Sequence, residues 1–125
     1  LVVLQEIRRV LRPGGTLLIE VPNPRPLIEA VRTEPRRHLI TARYEIQEEY
    51  SYDPATRILR NRTRFRLGRR EEDGEYSLRL YERSELADAL RRCGLTPVRT
   101  YGDYDGTPYS VTCSDAILIH ARRRD

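Results

Sequence analysis

Leu11-Arg12-Pro13-Gly14-Gly15-Thr16-Leu17-Leu18-Ile19-Glu20-Val21-Pro22 is the stretch on which the reading of this chain turns. Before it, Val3, Leu4, Ile7, Val10 and Leu11 recur at three- and four-residue spacing, one face of a helix, while Glu6, Arg8, Arg9 and Arg12 fill the other side. Pro13-Gly14-Gly15 stops that helix, since a glycine is free to take the left-handed conformation that caps a helix C-terminus. Thr16 to Val21 is a short, nearly unbroken apolar run, which predicts a strand buried on both faces, as in a parallel sheet. Pro22, Pro24 and Pro26 end it, and a short helix follows over 27–32.

The period then changes from helical to two. Tyr44, Ile46, Tyr50 and Tyr52 alternate with Glu45, Gln47, Glu49 and Ser51, and Thr63, Phe65 and Leu67 alternate with Arg60, Arg62, Arg64 and Arg66. Asp53-Pro54-Ala55-Thr56 fits a type I turn, with Asp first and Pro second. Closing the hairpin on those four residues sets Glu49 against Arg60, Gln47 against Arg62 and Glu45 against Arg64. The same register sets Tyr50 against Leu59 and Tyr44 against Phe65, so charge and apolar pairing agree. A second turn around Glu72-Asp73-Gly74 returns the chain as Tyr76, Leu78 and Leu80. The prediction is an antiparallel three-stranded unit.

Helical spacing resumes at Leu86, Ala89, Leu90 and Cys93, with Gly94 as the cap. A strand is predicted over 97–101, then the turn-rich stretch 102–108, then a strand over 116–120 and a solvated tail from Arg122 to Asp125. Helix, strand, antiparallel insertion, helix, strand, turn, strand is an α/β arrangement. The strands at 16–21 and 97–101, joined through a helix, are expected to be parallel, with the last strand antiparallel to its predecessor. Residues 1–23 and 82–125 form the α/β core in this reading, and 24–81 form the insertion.

Composition narrows the classes. With 125 residues, 38% hydrophobic and 34% charged, the chain suits one small globular domain and not a disordered segment. No apolar run approaches the roughly 20 residues of a membrane helix, and the N-terminus lacks the basic, apolar and small-residue order of a signal peptide. The chain contains no Met and opens on Leu1-Val2-Val3-Leu4 within an apolar pattern, so it is expected to be part of something longer. Its first strand would then offer an unpaired edge that invites self-association. The 23 basic residues are all Arg, against 19 acids, for a net charge of +4. An Arg-only balance suits phosphate and carboxylate recognition, and a GC-rich genome produces the same bias. Cys93 and Cys113 make no disulfide framework, which points to a reduced, cytoplasmic protein.

Three groups of residues carry a family resemblance. Leu4-x-x-Ile7-x-x-Val10-Leu11-Arg12-Pro13-Gly14-Gly15-Thr16-Leu17-Leu18-Ile19 resembles the approach to the fifth strand of class I (Rossmann-like) S-adenosylmethionine-dependent methyltransferases. Tyr81-x-x-x-Glu85-Leu86-x-x-x-Leu90-x-x-Cys93-Gly94-Leu95 is similar to their next helix and its exit. Tyr101-Gly102-Asp103-Tyr104-Asp105-Gly106 and Asp115-Ala116-Ile117-Leu118-Ile119-His120-Ala121 resemble the final hairpin. Together they cover about half of the chain and imply its C-terminal, substrate-side part, with the insertion as a lid over the substrate. S-adenosyl-L-methionine is the implied cofactor and a small-molecule methyl acceptor the implied partner. The family holds its cofactor with a glycine-rich loop after the first strand and an acidic residue after the second; neither pattern occurs here, so no cofactor-binding residue is expected in this chain.

Ligands of open α/β sheets bind outside the carboxyl ends of the strands, which directs attention to residues 22–23, the insertion and the loop 102–109. Asp103 and Asp105 can orient or deprotonate an acceptor there, or serve only the turn. Tyr101, Tyr104 and Tyr109 can wall a pocket or bind through their hydroxyls. Asn23 can hydrogen-bond a ligand or act as a turn residue. Glu48 falls on the otherwise apolar hairpin face, where a carboxylate is costly unless paired; it contacts substrate, meets an inward Arg or sits at a wet sheet end. Arg79 can clamp an anion or pair across strands. His38 and His120 lie in different segments, and no group of residues has metal-ligand spacing. The alternative function is a non-catalytic anion- or nucleic-acid-binding module using the arginine-rich strand 60–66. Against it stand the predicted partners Glu45 and Glu49 and tyrosines that face the other way, where stacking on bases would want them exposed.

Overall fold

A computed structural model describes residues 1–125, and the chain divides into two compact units, Leu1–Pro26 with Tyr81–Asp125, and Leu27–Leu80. The first contains α1 (Val2–Val10), β1 (Thr16–Pro22), α3 (Arg83–Arg92), β6 (Leu95–Tyr101) and β7 (Ala116–Arg123). The second contains β2 (Arg36–Ile40), β3 (Tyr44–Asp53), β4 (Ile58–Leu67) and β5 (Arg70–Arg79), and the boundary falls inside α2 (Pro24–Thr33).

In the first unit the strand order is β1-β7-β6, and both ladders are antiparallel. The expected parallel pairing of 16–21 with 97–101 is thereby corrected. β7 lies between β1 and β6, so those two run the same way without exchanging hydrogen bonds. The reason is the length of the apolar C-terminal run: Ile117, Ile119 and Ala121 are fully buried and need neighbours on both sides, which only a central strand has. α1 and α3 cover this face with Leu4, Leu86 and Leu90. α3 starts on a capping box between Glu82 and Glu85 and ends before Gly94 at φ +75°.

Two further expectations change here. β1 is buried on one face only: Leu17, Ile19 and Val21 pack on the core, while Leu18 is 53% exposed. Arg122 and Arg123 belong to β7 and not to a solvated tail. The Arg123 guanidinium donates to the carbonyls of Arg8 and Leu11, satisfying acceptors that the end of α1 leaves open.

The second unit is a meander, β2-β3-β4-β5, entirely antiparallel. It has four strands where three were expected, because Arg36–Ile40 adds an edge strand on β3 whose uniformly exposed residues carry no buried-strand signal. The β3–β4 register is also displaced by two residues: Glu49 faces Arg62, Glu45 faces Arg66, and Tyr52 faces Leu59. The Asp53 carboxylate accepts from the Ala55 N–H and the Thr56 hydroxyl, and Arg57 closes the loop at φ +59°, so Pro54 to Arg57 form the connection. A shift of two preserves the faces, because the strand period is two. The second turn sits at Gly68-Arg69 instead of Glu72-Asp73-Gly74. Gly68 supplies the positive φ (+60°) that a two-residue hairpin connection needs, and the acidic residues are released into β5. Val31, Leu59 and Leu80 form the core, with Leu27, Ile28, Tyr50 and Tyr52 around it.

Candidate functional site

The loop between β6 and β7 and the outward face of β1 enclose an open cleft of about 380 Å³, lined among others by Glu20, Asp103, Tyr104, Ser110, Cys113 and Asp115. All of these belong to the first unit. Strand alternation aims Glu20 to the same side as exposed Leu18, which puts its carboxylate at the cleft. The Tyr104 hydroxyl donates to Glu20. Asp103 lines the cleft, and its Oδ1 accepts the Tyr104 N–H at 2.7 Å. Asp105 is turned into the loop instead: its Oδ1 accepts the Thr107 N–H at 2.9 Å and the Thr107 hydroxyl, and these bonds hold its carboxyl below the ordinary value. Tyr101 is half-buried and forms an isolated bridge with Pro108 at the root of the loop.

Asn23 is fully buried behind this loop. Its Nδ2 donates to the carbonyls of Val111 at 3.0 Å and Ser114 at 2.7 Å, with Ser110 a longer third at 3.3 Å. Its Oδ1 accepts the Tyr109 hydroxyl at 3.1 Å. The amide therefore staples the loop 109–115 to the end of β1. Tyr109 packs on the core below Arg83, whose guanidinium lies 5.8 Å from the ring centroid. Burial pushes its phenol up, Glu82 adds to this, and Arg83 and Arg25 oppose it. Cys113 is exposed, and the hydroxyls of Thr112 and Ser110 draw its thiol below the usual range.

Of the residues singled out from sequence, the structure gathers Asn23, Asp103, Tyr104 and Tyr109 around one cleft and loop. Glu48 and Arg79 belong to the second unit. There Glu48 is half-buried and accepts the Tyr50 hydroxyl at 3.1 Å, while Arg79 stands at the end of β5 opposite Ile58. Glu20, Ser110, Cys113 and Asp115 were not read from the sequence. Glu20 was discernible in principle, as the one charge in an apolar strand, once a single buried face is recognised. The others depend on how the loop folds back.

The arginine strand meets acids at three of its four arginines, Arg60 facing Ser51 and Ser77 instead. Arg62 lies between Glu49 and Glu75, Arg64 between Gln47 and Asp73, and Arg66 between Glu45 and Glu71. Arg66 is ion-paired with Glu45, and Arg64 with Asp73 at 3.3 Å. An open trough of about 730 Å³ crosses the sheet here, and its walls alternate Arg36, Glu49, Arg62 and Glu75. A surface that tracks phosphates presents one sign of charge, and this one does not.

Gly14 and Gly15 do not form a nucleotide cradle. The Gly14 N–H donates to Arg123 and the Gly15 N–H to Arg12, and a Cβ on Gly15 would lie 2.8 Å from the Arg12 carbonyl. Both backbone donors, and the space beside Gly15, are used by the helix-to-strand turn, so they do not fit a cofactor. No helix is long and apolar enough to cross a membrane, and no group of three His, Cys, Asp or Glu residues is placed to hold a metal ion.

No family model matches the sequence, and no curated protein matches it. Solved structures do. The CcbJ methyltransferase from Streptomyces caelestis aligns over 96% of this chain and 51% of its own, at 20% identity and a TM-score of 0.76. An S-adenosylmethionine-dependent methyltransferase from Clostridium acetobutylicum aligns over 98% of this chain and 50% of its own, at 12% identity and a TM-score of 0.83. The SAM-bound structure of CalS10, an amino pentose methyltransferase from Micromonospora echinaspora, aligns over 96% and 48%, at 15% identity and a TM-score of 0.54. The chain thus has the fold of part of an S-adenosylmethionine-dependent methyltransferase and spans about half the length of these proteins.

Proposed function

We propose that this chain is the C-terminal, acceptor-side part of an S-adenosylmethionine-dependent methyltransferase that acts on a small molecule in the cytoplasm, with the insertion 24–81 as its substrate-side lid. The observation that carries this reading is the TM-score of 0.83 over 98% of the chain against half of such an enzyme. The commitment of Gly14 and Gly15 to a turn agrees with a cofactor held by residues outside this chain. Methyl transfer to a nucleophile is an in-line displacement that depends on alignment and on exclusion of water. The cleft residues suit the alignment. Asp103 and the Glu20–Tyr104 pair offer carboxylate and phenol groups that can orient an acceptor and take its proton, and the Asn23 staple fixes the loop that carries them. The polyanion-binding alternative is disfavoured by the acids flanking Arg62, Arg64 and Arg66.

Two measurements test this division of labour. S-adenosylmethionine is expected to leave the melting temperature of the 125-residue chain unchanged, and a saturable shift would overturn it. In the longer polypeptide that the reading requires, labelled methyl passes from S-adenosylmethionine to a small acceptor. Asp103→Asn and Tyr104→Phe there lower kcat by roughly tenfold or more while leaving cofactor affinity intact. Loss of cofactor affinity in these variants, or no transfer at all, defeats the assignment.

A further inference from the structure

The face of the second unit that carries its core also carries a polar group. Glu48, Tyr50, Asn61 and Thr63 lie together on it, in two adjacent rows: Arg37–Glu48–Thr63–Gly74 and Tyr50–Asn61–Tyr76. The next row, Leu39–Ile46–Phe65–Glu72, is apolar up to its last member, an acid on β5. Two internal hydrogen bonds fix the polarity of the group. The Tyr50 hydroxyl donates to Glu48 Oε2, and the Thr63 hydroxyl donates to Asn61 Oδ1. Thr63 has thus spent its proton and offers only lone pairs, and the carboxylate offers only acceptors. Burial, and the bond to Glu48 after it, raise the Tyr50 phenol, so it keeps its proton and its donor role.

Asn61 is fully buried, yet its Nδ2 has no partner. An orphaned buried donor is destabilising, and an apolar side chain of the same shape would avoid it. Its retained polar atom is Oδ1, which holds the Thr63 proton away from the surface. Beside Thr63 stands Gly74, where an added Cβ would meet nothing within 4 Å. The side-chain layer therefore has a gap next to the acceptors, bordered by Phe65 and Glu72 on one side and Tyr76 on the other. Arg37, the cross-strand neighbour of Glu48, is the row's one cation and is exposed.

We propose that Glu48 and Thr63 bind the N–H donors of an amine-bearing small molecule in the gap at Gly74, with Asn61 as the positioning residue that orients the Thr63 hydroxyl. The link to methyl transfer rests on the acceptor-side reading above and makes the acceptor an amine-bearing one. The binding itself needs neither cofactor nor turnover, so the two readings fail separately.

Three probes of one shape test it on the 125-residue chain: cyclohexylammonium, cyclohexanol and cyclohexanecarboxylate, titrated by NMR. The ammonium is expected to shift the Asn61 side-chain amide and the Thr63 and Gly74 signals, and to bind about tenfold more tightly than the alcohol, as expected when a hydrogen bond gains a charge. The carboxylate leaves these signals unmoved. Glu48→Gln removes the preference for ammonium over alcohol. Asn61→Leu weakens ammonium binding while raising the melting temperature, which separates positioning from a structural role. Thr63→Val weakens binding with the fold intact by its amide spectrum. Equal affinity for the three probes, shifts confined to other residues, a preference that survives Glu48→Gln, or ammonium binding unaffected by Asn61→Leu would each overturn the proposal.

Discussion

Replacing Asn23 tests the central structural claim about the cleft, that one buried amide holds the loop 109–115 in place. The side chain makes two strong donations, to Val111 and Ser114, and accepts one bond from Tyr109, all within a fully buried site. Each such bond contributes roughly 0.5–1.5 kcal/mol net, and partners left buried without a mate add to the loss, so Asn23→Ala should destabilise by about 2–4 kcal/mol. In a chain of this size that is a fall of roughly 6–16 °C in melting temperature, measurable by calorimetry. Tyr109→Phe removes only the phenol donor and should destabilise by about 1 kcal/mol. Asn23→Asp is the sharper variant. Its carboxylate would face three carbonyl oxygens, so it should be worse than Asn23→Ala at neutral pH and recover on acidification, when a protonated carboxyl can donate again. A loss below about 1 kcal/mol for Asn23→Ala, or an aspartate as well tolerated as alanine, would refute the stapling argument.

Other outcomes follow from the same structure. His38 first, then Arg66, hold the half-buried Glu45 carboxyl below its ordinary 4.5, and Asp53 and Asp105 are lowered by bonds from Ala55 and Thr107 respectively. A depressed folded value favours the folded state above the ordinary value and loses that effect as pH falls through the depressed one. The melting temperature should therefore decline on acidification below about pH 4.5, and Glu45→Gln should flatten that limb of a pH–melting profile. Gly102→Ala places a Cβ 2.4 Å from Ser114 Oγ and 3.0 Å from the Pro108 carbonyl, and should destabilise by about 1–3 kcal/mol in a denaturant titration. β1 is a sheet edge, with Leu18 and the α1 residues Val2, Val3 and Val10 exposed. The chain should self-associate in a concentration-dependent way, and Leu18→Lys should suppress this in sedimentation velocity; a strict monomer at millimolar concentration would exclude it.

Local periodicity made the elements legible. The helix before Pro13-Gly14-Gly15, the alternation through 44–67 and the capped helix at 83–92 are each specified by residues within a few positions of one another. The exposed strand Arg36–Ile40 escaped notice because it buries nothing. The loop after the sixth strand, which lines the candidate cleft, was legible as a place more than as chemistry. Asp105 is absorbed by its own turn and Asn23 by a buried staple, and both depend on backbone conformations that sequence spacing does not encode.

The sequence by itself determined most of the helices and strands, the apolar face of the 44–67 hairpin, and that opposite charges would line the arginine strand, because these follow from side-chain period and local turn chemistry. Only the tertiary structure decided that β7 inserts between β1 and β6, that the hairpin register moves by two, and that Glu20, Asp103 and Tyr104 share a cleft. A period-two pattern is unchanged by a shift of two, and strand order is set by which residues must be covered on both sides, a requirement that exists only once the chain is packed.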